Sequence, residues 1–156
     1  MTVDHFERLG LERGGRLDAK ELEAQYVERC RKVHPDLYGE DAIVDAAALN
    51  EAHRVLADRW QRYAYLAELW QRGVMDATKN LCPTFLAQAM ALFEEAQAAQ
   101  DSEAERADIE ARVRHDLSSY AQRIETLLVG PEGAHDGAVL CHQARYLQRA
   151  LERLVP

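Results

Sequence analysis

The amino-acid sequence predicts an all-α protein, and three observations carry that prediction. Ala, Leu, Glu, Gln and Arg, all good helix formers, dominate the 156 residues. No stretch alternates Val, Ile or Thr with polar residues, as a half-buried strand would. Apolar residues instead recur every three or four positions, in runs that open on Asp, Ser or Pro and close on Gly.

Each element follows from those signals. Asp4 to Leu9 reads as a short helix, with Phe6 and Leu9 at helical spacing and Gly10 ending it. Residues 12–16 are a loop holding Gly14-Gly15. Asp18 is an N-cap with Glu21 three residues on, an Asp-led capping box, and Leu17 and Leu22 stand where a hydrophobic staple would place them. The helix from about Ala19 to Val33 has Leu22, Tyr26, Cys30 and Val33 as its apolar stripe, with Arg29, Arg31 and Lys32 mostly towards solvent. Pro35 has no amide donor and disfavours helical angles in the residue before it, so this helix stops near Val33.

A short loop around Gly39 leads to a helix from about Asp41 to Asp58, with Ile43, Ala47, Asn50, Val55 and Leu56 expected inside. The two helices form an antiparallel hairpin with His34-Pro35-Asp36 at its tip. Trp60 to Arg72 is again helical, anchored by Tyr63, Leu66 and Trp70, and Gly73 closes it in the left-handed conformation. Residues 74–82 read as a linker. Pro83 suits the first position of a helix reaching about Gln100, which carries Phe85, Leu86, Met90, Leu92 and Phe93. Ser102 and Glu105 make a capping box for a helix from Glu103 to Leu128. Its inner side holds Ile109, Val113, Leu117, Tyr120, Ile124 and Leu127/Leu128. Gly130-Pro131-Glu132-Gly133 and Gly137 form a loop, and Asp136 or Gly137 starts the last helix, with Leu140, Tyr146, Leu147, Leu151 and Leu154. Three helices suffice for a small bundle.

Composition narrows the function. A net charge of -8 argues against nucleic acid and anionic membrane as partners. No apolar run is long enough to span a bilayer, and no secretory signal opens the chain. Cys30, Cys82 and Cys141 lie far apart without a CxxC, which argues against a disulfide framework or a structural zinc site. The cytoplasm is the expected compartment, and no cofactor or metal is expected.

The hairpin tip is the candidate site. His34 and Asp36 sit in a tight surface turn beside the cationic helix end Arg29, Arg31 and Lys32. Cations there also simply complement the helix dipole. No nucleophile or acid is arranged around His34, so catalysis is not expected. Cys30 and His34 are four apart, as helical metal ligands can be, but Pro35 ends the helix and no further ligand follows. Glu132-x-x-His135 imitates half of a di-iron motif, yet falls in a Gly/Pro loop without a second copy.

Beyond that turn, Leu49-Asn50-Glu51-Ala52-His53-Arg54-Val55-Leu56-Ala57-Asp58 resembles the third-helix motif of J-domain co-chaperones, and Arg62 and Tyr65 fall on that family's Arg-x-x-Tyr pair. The resemblance to J-domains covers roughly residues 4–70. Residues 4–11, the run Gln61 to Leu69, Phe85-Leu86 and Arg145-Tyr146-Leu147 further resemble iron–sulfur co-chaperones of the HscB or Jac type. Arg59 stands where the family usually has Pro, and Arg29 where it is commonly apolar.

The resemblance implies a J-domain at residues 1–73, a linker at 74–82 and a three-helix scaffold-binding bundle at 83–156, joined as an L. It implies no enzymatic activity, and a monomer. His34, Pro35, Asp36, Arg29, Arg31 and Lys32 would dock on a DnaK-type chaperone, specifically HscA, and stimulate its ATPase. Leu86, Met90, Glu94 and Tyr146 would hold the scaffold on which iron–sulfur clusters are built, with Ala87 and Ala91 as small residues at two further family positions. The residues alone leave Leu86, Met90 and Tyr146 equally suited to the bundle core, and Phe93 to either set. A general J-domain co-chaperone with other clients, or an all-helical metal-binding protein, are the alternatives.

Overall fold

The computed structural model describes residues 2–33, 36 and 39–155. His34 and Pro35, at the centre of the expected docking turn, lie outside the described residues, as does Leu37. Among the described residues all regular structure is helical: α1 (His5–Arg8), α2 (Ala19–Lys32), α3 (Glu40–Ala57), α4 (Arg59–Trp70), α5 (Val74–Ala77), α6 (Pro83–Ala98), α7 (Glu103–Leu127) and α8 (Ala134–Glu152). A 3-10 turn, Pro131–Gly133, leads into α8. The chain divides into two compact units between Leu66 and Ala67, inside α4.

In the first unit, α1 is too short to persist alone and is fixed through its N-cap. Asp4 caps it in a reciprocal capping box with Glu7. The Asp4 carboxylate also accepts from Arg13 Nε at 3.0 Å and Nη2 at 2.7 Å. Burial pushes the Asp4 carboxyl upward, but the Glu7 N–H and the Arg13 guanidinium outweigh it and hold the group below its ordinary value. Phe6 and Leu9 are fully buried.

The α2–α3 hairpin is held along its length by polar and aromatic contacts. The His53 ring stacks on Tyr26 at 4.2 Å, and its Nε2 lies 2.9 Å from Glu23 Oε2. Tyr26 donates its hydroxyl to Asn50 Oδ1. Asp18 caps α2 by accepting from the Lys20 N–H. The inner face of α3 is Ala42, Leu49, Ala52, Val55 and Leu56. Ile43, Ala47 and Asn50, expected inside, are exposed, Ile43 to 58%. The small methyls of Ala42 and Ala52 let α3 pack closely on that face, and the larger Ile43 is turned away.

Arg62 and Tyr65 explain why α4 closes this unit. Arg62 is buried, donating from Nε to Gly15 O at 2.9 Å and from Nη1 to Leu56 O at 2.5 Å. It thereby ties the loop before α2 to the end of α3. The Tyr65 hydroxyl accepts from the His5 N–H at 2.9 Å, and the two rings stack at 4.3 Å. Burial lowers the His5 imidazole, so at neutral pH it packs uncharged.

The second unit is organised on α8, which packs against α6 and α7 and against the short α5. Residues 74–77, expected within a linker, are the helix α5, and Val74 is fully buried. Gly73 turns the chain at φ +83°, and the Glu68 carboxylate accepts from the Gly73 and Met75 N–H groups at 2.7 and 2.9 Å. His142 Nε2 donates to Met75 O at 2.7 Å, tying α5 to α8. The inner face of α7 is Ile109, Val113, Leu117, Ala121 and Ile124, while Tyr120 is half-buried with its hydroxyl 3.1 Å from Gln143 Oε1. Trp70 donates from Nε1 to Leu128 O at 2.8 Å. Because the 3-10 turn runs straight on, α8 begins at Ala134 rather than at Asp136, and His135 is helical, not in a loop.

Candidate functional site

The first candidate surface lies at the end of α2. Arg31 and Lys32 are exposed, and Lys32 makes a 3.6 Å exposed pair with Glu28, the kind of contact that contributes little. Arg29 is not directed plainly to solvent. It is half-buried, and its guanidinium reaches back over α1 so closely that a Cβ on Gly10 would meet Nη2 at 2.3 Å. Gly10 is at φ +65°, so it suits this position twice over. Arg29 and Lys32 line a groove of about 330 Å³ together with Arg8, Val33, Asp45 and Leu49. Arg8 is thus a further cation of this patch, which no spacing in the sequence indicated because it comes from a different helix. Asp36 is exposed beyond the end of α2. Ile43 and Val44, exposed to 58% and 70%, stand on the first turns of α3.

The second candidate surface is on α6. Core residues Ala89, Phe93 and Ala96 form one face of this helix. Leu86, Met90 and Glu94, spaced by four, form another row. Met90 is 56% exposed, Glu94 is exposed and Leu86 is half-buried, so this row stands outside the bundle core. Ala87 and Ala91 are exposed beside it. Tyr146 of α8 is half-buried; its ring meets Phe85 edge-on at 5.8 Å and stacks on Phe93 at 6.3 Å. Phe93 itself belongs to the core, and Phe85 joins the surface set. Phe85 directly precedes Leu86, and its contact with Tyr146 links the α6 row to α8. The Arg149 and Arg153 guanidinium groups lie over the Tyr146 and Phe93 rings, at 5.6 and 4.4 Å from their centroids.

Among the described residues no group of three or more His, Cys, Asp or Glu is placed to hold an ion. Burial pushes the Cys141 thiol up to about 12, so it is protonated and unreactive at neutral pH. His135 Nδ1 lies 3.3 Å from Asp136 and has no second carboxylate motif to join. No helix among the described residues is long and apolar enough to cross a membrane.

No family model matches the chain. Over 165 aligned positions it is 28% identical to a protein of Arabidopsis thaliana named iron-sulfur cluster co-chaperone protein HscB homolog, a match taking in 99% of this chain. The chain spans 63% of that relative's length. Its fold superposes on human co-chaperone protein HscB with a TM-score of 0.82, covering 98% of this chain and 81% of that one at 22% identity. Chaperone HscB from Vibrio cholerae gives a TM-score of 0.77, covering 97% and 94% at 22% identity. The chain is thus similar along nearly its whole length to a protein named an HscB homolog, and it shares the all-α fold of two HscB structures.

Proposed function

We propose that this protein is an iron–sulfur cluster co-chaperone that performs no chemistry of its own. Residues 1–73 act as its J-domain and residues 83–156 as its scaffold-binding bundle. The turn His34-Pro35-Asp36, with Arg29, Arg31 and Lys32 beside it, docks on a DnaK/HscA-type chaperone and stimulates ATP hydrolysis there. Leu86, Met90, Glu94 and Tyr146 hold the scaffold protein and so deliver it to the chaperone. The cations suit an acidic groove on the chaperone, and the Asp36 carboxylate suits a charge-assisted bond to one of its arginines.

The observation that carries this reading is the position of the α6 row. Leu86 and Met90 are apolar residues left outside a bundle whose core is already complete with Ala89, Phe93 and Ala96. Such a small apolar group with an aromatic anchor is what a partner's hot spot fits. The expected result is that Leu86→Ala and Tyr146→Ala each weaken capture of the iron–sulfur scaffold by about tenfold or more, at about 1.4 kcal/mol per decade. Isothermal titration calorimetry reads the affinity, and circular dichroism should show unchanged helicity. Undiminished binding in both variants would refute the assignment, as would a collapsed helical signal.

A further inference from the structure

Three arginines, Arg145, Arg149 and Arg153, follow one another along α8 and its C-cap at four-residue spacing, and all three are exposed. That spacing sets them in one row. Among the described residues none of the three has a carboxylate within ion-pair distance, whereas Arg54, Arg112 and Arg114 each pair with a glutamate. An unneutralised cationic row is unexpected in a chain with 27 acidic residues and a net charge of -8.

Completion of the helix dipole accounts for only part of it. Cations in the last turn are stabilising there, which covers Arg149, but Arg145 lies further from the helix end. Nor does the dipole explain why two of the guanidinium groups lie over the rings of Tyr146 and Phe93. A guanidinium flat on a ring keeps its N–H edge turned outward for a carboxylate. Arg149 and Arg153 therefore border the seam where Tyr146 meets Phe85 and Phe93, and Arg145 continues their row one turn back along α8. On the α6 side the apolar row ends at an acid instead, the exposed Glu94.

We infer that Arg145, Arg149 and Arg153 are the charged edge of the client surface and select a scaffold protein whose facing edge is acidic. This rests on the scaffold-binding reading of Leu86, Met90 and Tyr146. Glu94 and the arginines give the surface charges of both signs, which restricts the ways a client can lie on it. Edge charges act chiefly on encounter, so their contribution resides in the association rate and its dependence on salt.

The test is surface plasmon resonance of the full chain against the iron–sulfur scaffold protein of the same organism, at low and high salt. The triple variant Arg145→Gln/Arg149→Gln/Arg153→Gln should bind about tenfold more weakly at low salt, through slower association, with a flattened salt dependence. Its helical circular dichroism should match wild type, with only a small drop in melting temperature from the two lost ring contacts. Arg145→Glu, which alters no ring contact, serves as a second variant and should slow association on its own. Leu86→Ala, measured alongside, should act through faster dissociation and keep the wild-type salt slope. Wild-type kinetics in the arginine variants, with Leu86→Ala impaired, would overturn the charged edge and leave the scaffold reading standing. A wild-type chain that does not bind the scaffold at all would overturn both.

Discussion

Gly133→Ala should destabilise the second unit by at least about 3 kcal/mol, because the clash it creates has nowhere to relax. Gly133 has φ -92°, a conformation open to any residue, so backbone freedom is not what selects glycine there. Close approach is. A Cβ at this position would lie 1.8 Å from the Leu127 carbonyl oxygen and 2.6 Å from its carbon. Both are backbone atoms in the last turn of α7, so no rotamer change can make room. The end of α7 and the start of α8 would have to separate, just where Leu128, Ala134 and Ala138 are almost fully buried. Gly137→Ala is the internal control. Its Cβ would meet Leu128 Cδ2 at 2.6 Å, the end of a flexible side chain, and should cost only about 1 kcal/mol. Thermal denaturation of the two variants separates them, and a Gly133→Ala protein melting with wild type would contradict the close approach.

Arg62→Met should loosen the first unit by about 3 kcal/mol. The change leaves two buried carbonyls, Gly15 O and Leu56 O, without the charged donor that now satisfies them. Arg62→Lys should recover only part of the loss. A single ammonium on a flexible stem cannot reproduce the planar fork that reaches both oxygens. Hydrogen exchange is the suitable measurement, since it resolves the two units separately. Amides of α2 and α3 should exchange faster in the Met variant, with those of α7 unchanged. Equal exchange in α2 and α3 would show that Arg62 does not hold the hairpin closed.

Much of this architecture could be read from local signals. Asp4, Asp18, Ser102 and Pro83 mark helix starts correctly, because each acts through its own backbone neighbours. The Arg62/Tyr65 pair was legible by resemblance, and its bonds to Gly15, Leu56 and His5 supply the physical reason for it. What failed depended on tertiary contacts. Residues 42–56 offer two apolar faces, and the choice of Ala42 and Ala52 over Ile43 and Ala47 is made by how closely α3 can approach its neighbours. Helix α5 was missed because its cap is the Glu68 carboxylate from the preceding helix, not a residue at its own start. Arg8 joins the cationic patch, and Phe85 the aromatic seam, only once separate helices are brought together. The sequence left Leu86, Met90 and Tyr146 undecided between core and surface; Met90 is exposed, while Leu86 and Tyr146 are half-buried at the edge of the core.

The central claim concerns a chaperone's ATPase, and steady-state hydrolysis by a DnaK/HscA-type chaperone measures it directly. Purified wild-type protein should accelerate hydrolysis severalfold at saturation, while His34→Gln, with its helical circular dichroism intact, should leave the basal rate unchanged. A folded His34→Gln variant that stimulates as well as wild type would contradict the account, and so would a wild-type chain that stimulates no chaperone of this type.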